Sequence, residues 1–228
     1  MPLDGQSLFF PDPTRVAGRG PALVGGDLHP ERLIAAYAKG YFPWYAPGDP
    51  LLWWNPDPRF VLFPAELRIA KSMRPYLNQH KYRLSFDQAF YQVIKQCREI
   101  KRPGQSGESW IDDAMIDAYI QLHELGFAHS VEAWEGEELV GGLYGIALDQ
   151  IFFGESMFSL RPNSSKFTFI RLVQRLQEYD YRLVDCQQET AHLASLGGRS
   201  IRRAEFLAYL PKNTAHFQRD LGPWMTLD

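Results

Sequence analysis

Two short segments set carboxylates and amides into apolar runs, and chemistry is to be sought there first. In Ile151-Phe152-Phe153-Gly154-Glu155-Ser156-Met157-Phe158, the pair Glu155-Ser156 interrupts an otherwise aromatic and aliphatic stretch. A carboxylate among such side chains is costly to bury unpaired, so Glu155 is expected either to reach water or to serve a ligand. Further on, Leu183-Val184-Asp185-Cys186-Gln187 repeats the arrangement, an apolar strand ending in a carboxylate and an amide. Such groups can orient a nucleophile, hold a cation or handle a proton. Other chemistries are poorly served. Gly154-Glu155-Ser156-Met157-Phe158 lacks the second glycine of a nucleophile elbow, because Phe158 stands there, so a serine hydrolase is not expected. His123 and His129 fall on different predicted elements without zinc spacing, and no metal is predicted. Gly141, Gly142 and Gly145 lie inside predicted strands, which excludes a dinucleotide fingerprint and suggests a bulge or close backbone packing.

The elements that must position these residues follow from periodicity. Residues 139–159 read as two strands joined at Asp149-Gln150. Between Asn163 and Tyr179, apolar residues at Phe169, Leu172, Val173 and Leu176 keep a helical period, and residues 183–187 form another strand. Strand, helix, strand implies a crossover unit with a pocket where the polar residues emerge. Upstream, the pattern predicts a helix ending at Gly40, strands over 59–63 and 82–86, and helices over 71–78, 87–98 and 112–125. Strands over 128–134 and 138–147 follow, then short helices over 190–196 and 204–210 and an extended tail from Lys212. Residues 1–26 read as irregular. The aromatic residues between Tyr41 and Trp54 suit either a small core wrapped by loops or a surface on which bases stack. The Pro/Gly/Ser loop 101–108 suggests a boundary between a small N-terminal α/β domain (1–100) and a catalytic domain (101–228).

Composition narrows the class. The chain has 228 residues and a net charge of −3, so a nucleic-acid partner would be met by a local patch. Lys71 and Arg74, with Lys81 and Arg83, form a modest basic group, for which a solvated face is the default reading. Cys97 and Cys186 read as reduced core thiols. With no signal peptide or membrane-length apolar run evident, a soluble cytoplasmic protein is expected.

Antiparallel strands, a crossover helix and a further strand resemble the acyl-CoA-dependent N-acetyltransferase (GNAT) fold, an α+β fold with a mixed, mostly antiparallel sheet. That fold carries a glycine-rich pyrophosphate loop, whereas Leu160-Arg161-Pro162-Asn163-Ser164-Ser165-Lys166 has no glycine, which argues against coenzyme A. A set of longer strings is more specific. Gly25-Gly26-Asp27-Leu28, Phe42-Pro43-Trp44, residues Trp53 to Arg59, Ser109-Trp110-Ile111, residues Leu122 to Gly126, Gly154 to Ser159 and Asp185-Cys186-Gln187 together closely resemble the leucyl/phenylalanyl-tRNA protein transferases, in order from about Gly25 to Leu210.

The resemblance implies a small N-terminal domain joined to an acetyltransferase-like domain. It also implies transfer of leucine, phenylalanine or, less well, methionine from aminoacyl-tRNA to proteins beginning with arginine or lysine, which marks them for N-end rule degradation, with no cofactor. By position, Trp44 and Trp110 would hold the terminal adenosine, with Tyr37 and Tyr119 nearby. Phe152 and Met157, with Leu143, Gly154 and Val184, would line the side-chain pocket. Leu143 stands where most relatives have methionine. Glu155 would face the acceptor's cationic end, Asp185 and Gln187 would be at the reacting centre, and Lys71 and Arg74 would meet the tRNA. Neighbouring Pro75 and Asn78 occupy positions that can be basic in the family. The alternatives are an acyl-CoA-dependent N-acetyltransferase and a non-enzymatic RNA-binding module.

Overall fold

The computed structural model describes residues 2–3, 9–16, 18, 20–79, 81–101, 109–210 and 224. The predicted loop over 101–108 and the predicted tail fall almost wholly outside them. In chain order the elements are β1 (Pro2–Leu3), β2 (Leu23–Gly25), α1 (Pro30–Ala38), β3 (Phe42–Pro43), β4 (Leu52–Trp54) and β5 (Arg59–Leu62). There follow α2 (Arg74–Asn78), β6 (Arg83–Phe86), α3 (Phe90–Glu99), α4 (Asp113–Glu124), β7 (Ala128–Glu135), β8 (Glu138–Leu148) and β9 (Ile151–Ser159). The last five are α5 (Ser164–Glu178), β10 (Leu183–Gln187), α6 (Ala191–Ser195), β11 (Arg199–Ile201) and α7 (Arg203–Tyr209).

The architecture is the expected mixed α+β one. A four-stranded sheet runs in the order β1-β2-β4-β3, and a seven-stranded sheet in the order β11-β5-β10-β9-β8-β7-β6. Within the large sheet only β9 and β10 are parallel, and α5 is the crossover between them, as a parallel pair requires. The hairpin turns at Asp149, whose φ of 53° an aspartate tolerates better than most residues. One face of this sheet is covered by α3 and α4 through Val93, Ile94, Met115, Tyr119 and Leu122. The other is covered by α5 through Phe167, Phe169, Leu172 and Val173.

Two expectations need correction. The stretch around Phe42 and Trp53 does pack as a core with Phe10 and Tyr41, but on paired strands and not on loops alone: β3 and β4 pair antiparallel, Phe42 opposite Trp54, with Trp53 fully buried. Nor does the chain divide at residue 100. Both β5 and β6 precede that point, yet β5 pairs with β10 and β11, and β6 with β7. Backbone hydrogen bonds between distant segments override the loop's local composition, and the small sheet ends with β4.

Close backbone packing explains the glycines of β8. A Cβ at Gly141 would stand 2.5 Å from the Ser164 side chain, where α5 begins, and one at Gly145 would meet the Phe153 carbonyl at 2.2 Å and the Phe152 ring at 2.5 Å.

Candidate active site

Two β-bulges shape the centre of the large sheet. Between β8 and β9, Tyr144 faces Ser156 and Gly145 faces Gly154, so Glu155 is an extra residue without a partner. Between β5 and β10, Val61 faces Asp185 and Phe60 faces Gln187, so Cys186 is extra in the same way. A bulge breaks the alternation of a strand and re-aims its side chains. The parallel pairing of β9 with β10 runs only as far as Phe153 opposite Asp185. Beyond that level Glu155 and Gln187 meet between the strands, Gln187 Nε2 donating to Glu155 Oε1 at 2.9 Å.

Glu155 is held from the other side by two helices. The Tyr37 hydroxyl, from α1, donates to Oε1 at 2.7 Å, and the Tyr119 hydroxyl, from α4, lies 3.0 Å from Oε2. The two hydroxyl oxygens are themselves 2.5 Å apart. Burial pushes the Glu155 carboxyl up to about 7; the charge of Asp185 adds to this, and hydrogen bonds from Tyr37, Tyr119 and Gln187 oppose it. Both phenols are driven well above their ordinary value, by burial first and the Glu155 charge second, so both keep their protons. Their rings are fully buried. Neither offers a face to a base, and their contribution is to hold Glu155.

Asp185 lies behind the centre. Its carboxylate receives Arg59 Nε at 2.8 Å and Nη2 at 2.6 Å, and neither side chain is exposed. The guanidinium is sandwiched between Phe42 and Phe206, 4.6 Å from each ring centroid. Asp185 Oδ1 also accepts the Gln187 N–H at 3.0 Å. That bond supports a left-handed backbone at Gln187, φ 61°, an uncommon conformation for glutamine. Asp185 and Gln187, which the resemblance sets together at the reacting centre, are joined by this bond, with the Asp185 side chain buried and outside the cavity lining. Asp185 positions Gln187 from beneath, because the bulge at Cys186 puts residues 185 and 187 on different sides. Arg59 opens a predicted strand and closes the Trp53-to-Arg59 string, neither of which marks it as the partner of Asp185; a charged residue leading into Phe60-Val61-Leu62 is the available signal.

A cavity of about 960 Å³ opens beside this pair. Leu143, Phe152, Gly154, Met157 and Val184 line it, joined by Phe169 and Leu172 of α5 and by Leu193. Trp44, Trp54 and Trp110 also border it; Trp44 is 38% exposed and lies 5.3 Å from Trp54, centroid to centroid. A hydrogen bond from the Tyr45 hydroxyl to Asp112 Oδ2 (2.9 Å) joins the small-sheet side to the first turn of α4, just past Trp110. Behind Phe152 stands Trp224, ring centroids 5.6 Å apart. Cys186 reaches the cavity, but burial and the Asp185 charge push its thiol well above its ordinary value, so it stays protonated. Lys71 and Arg74 are exposed, in a 3₁₀ turn and at the start of α2. They do not border the cavity.

An apolar cavity with room for more than one side chain, edged by an amide bonded to a carboxylate and bordered by indole rings, suits an enzyme that hands on an acyl group together with a larger flat group. The leucyl/phenylalanyl-tRNA protein transferase family matches residues 61–211, and its N-terminal domain matches residues 26–57. Relatives with that name include proteins of Anaeromyxobacter sp. (strain Fw109-5), 55% identical over 90% of this chain and 87% of theirs, and of Myxococcus xanthus, 51% identical over 90% and 87%. Another, of Nitrosospira multiformis, is 49% identical over 95% and 93%. The chain belongs to the leucyl/phenylalanyl-tRNA protein transferase family. The match places the division between the family's two regions at 57/61, beside the break between the sheets. Among solved structures, a GCN5-related N-acetyltransferase from Kribbella flavida aligns at a TM-score of 0.33 and 10% identity, over 72% of this chain and 58% of its own, too slight a likeness to argue from.

Proposed function

We propose that this protein moves leucine or phenylalanine, and methionine less well, from aminoacyl-tRNA to the α-amine of proteins beginning with arginine or lysine, marking them for N-end rule degradation. The observation that carries this is the Gln187–Glu155 hydrogen bond at the edge of the apolar cavity. The cavity takes the transferred side chain against Phe152, Met157, Leu143, Gly154 and Val184. The indoles of Trp44 and Trp110 flank the terminal adenosine, a stack being worth about 1–3 kcal/mol per base. Lys71 and Arg74 meet phosphates of the tRNA. The reaction draws on charged tRNA, which sets it in the cytoplasm; among the described residues no helix is long and apolar enough to cross a membrane.

The chemistry demanded is mild, because an aminoacyl ester is already activated and no cofactor is called for. With Nε2 committed to Glu155, the carbonyl oxygen of Gln187 is left to accept an N–H of the acceptor's α-amine. The backbone bond to Asp185 keeps that amide in place. Attack forms a C–N bond and breaks the ester C–O bond, the ribose oxygen leaving as a hydroxyl. Holding amine and carbonyl about 3–3.5 Å apart supplies much of the rate. The negative charge of Glu155 attracts the acceptor's cationic terminus.

The test is incubation of purified protein with labelled Leu-tRNA or Phe-tRNA and a peptide beginning with arginine. Label in the peptide is expected. Acetyl transfer from acetyl-CoA in its place would make the protein an N-acetyltransferase. Tight tRNA binding without transfer would make it an RNA-binding module.

A further inference from the structure

Three oxygen-to-oxygen contacts close a ring around Glu155. Tyr37 Oη lies 2.7 Å from Oε1, Tyr119 Oη lies 3.0 Å from Oε2, and the two phenol oxygens lie 2.5 Å from each other. Each contact needs one proton, and each phenol supplies one. With Glu155 ionised, two protons serve three contacts: either both phenols donate to the carboxylate, or Tyr119 donates to Tyr37 and Tyr37 to Oε1, and one contact is left without a proton. With Glu155 protonated, the count closes. The carboxyl O–H on Oε2 donates to Tyr119, Tyr119 donates to Tyr37, Tyr37 donates to Oε1, and Gln187 Nε2 still donates to Oε1.

On the transferase reading above, we propose that Glu155, Tyr37 and Tyr119 form a proton-holding ring that takes up the proton lost when the acceptor's α-ammonium becomes the attacking amine. The carboxylate plus the ammonium gives the carboxylic acid plus the neutral amine. The amine then forms the amide C–N bond, its second proton leaves on the ribose oxygen, and the ring releases its proton to solvent after the product departs. The ring's third hydrogen bond exists only in the protonated state and so favours proton uptake. An α-amine titrates near 8, so a carboxyl raised toward neutrality is a matched acceptor where an ordinary one is not. The other titratable groups about Glu155 are Asp185, which Arg59 neutralises, the Tyr144 phenol and the Cys186 thiol. None of them bonds to its carboxyl oxygens among the contacts above.

Infrared difference spectra of the substrate-free enzyme, wild type minus Glu155→Gln, isolate the C=O band of the protonated carboxyl. That band is expected to titrate near neutral pH. In Tyr119→Phe and Tyr37→Phe, each short of one oxygen, its midpoint is expected to fall by about one pH unit, because the protonated state loses two ring bonds where the carboxylate loses one, which outweighs the lowering that each phenol exerts as a donor to the carboxylate. The pH limb of single-turnover transfer should fall with it. A midpoint that rises in either variant would show the phenols acting only as donors to the carboxylate and would overturn the ring. A wild-type midpoint in the ordinary carboxylate range would do the same. The infrared titration needs no substrate, so a failed transfer assay with the titration intact would overturn the transferase reading and the ring's use in it, not the ring itself.

Discussion

Replacing Arg59 by methionine preserves most of the side chain's bulk and deletes its charge. Asp185 then stays buried with the Gln187 N–H as its remaining donor among the bonds described, since the two guanidinium bonds at 2.6 and 2.8 Å are gone. Removing one partner of a buried ion pair costs about 3–5 kcal/mol. The complete burial of both side chains and the loss of the Phe42 and Phe206 contacts set the expectation near the upper end, about 4–5 kcal/mol. The penalty comes mainly from a stranded charge. Arg59→Met combined with Asp185→Asn should therefore be more stable than Arg59→Met alone, with a coupling energy of about 2 kcal/mol or more. Urea unfolding at constant m-value measures all four species of the cycle. Activity should not return with stability. Asparagine holds the Gln187 N–H more weakly, so the left-handed backbone relaxes, and kcat should fall by more than the KM for aminoacyl-tRNA rises. If the two substitutions destabilise additively, the charge was never stranded and the reasoning is wrong.

Trp44→Ala or Trp110→Ala should raise the KM for aminoacyl-tRNA by roughly 5- to 150-fold, from about 1–3 kcal/mol per stack, with kcat little changed; a loss confined to kcat would move the adenosine elsewhere. Neutralising Lys71 and Arg74 together should flatten the salt dependence of tRNA affinity by about 1–2 units of log–log slope, measured by filter binding between low and physiological salt. An unchanged slope would place the phosphates on another face. The Glu155 carboxyl, raised from its ordinary 4.5 to about 7, binds its proton more tightly in the folded than in the unfolded chain. Its contribution to stability is thus full at low pH and is lost as pH rises through about 7, by about 3 kcal/mol in all. Denaturant unfolding across this range should show a flatter profile in Glu155→Gln; parallel curves for the two proteins would contradict it.

What could be read from residues alone followed the reach of local patterns. The 139–159 hairpin, the crossover helix and β10 have clear periods, whereas the pocket roles of Phe152, Met157 and Val184 are implied by the family resemblance and by no period. Asp185 and Gln187 stand two apart, which in a regular strand puts them on one face. The bulge at Cys186 and the positive φ of Gln187 break that rule, and neither leaves a mark in composition. Tyr37 and Tyr119, which the resemblance puts near the adenosine, bond to a carboxylate reached from two helices distant in sequence. The small sheet leaves little trace in the sequence because β3 holds a proline and spans Phe42–Pro43, too short for alternation to register. Pairing of β5 with β10 joins segments far apart in the chain, the kind of information that no window on a single sequence carries.

The strand order has a consequence for synthesis. Because β10 lies between β5 and β9, and β11 then pairs along the outer side of β5, the centre needs one strand made early and others made near the end of the described chain. A ribosome that has not yet delivered residues 183–201 has produced neither the amide nor the strand that flanks its support. A nascent or prematurely terminated chain therefore holds no complete centre, and no transfer of an aminoacyl group can begin before its own translation has reached that point.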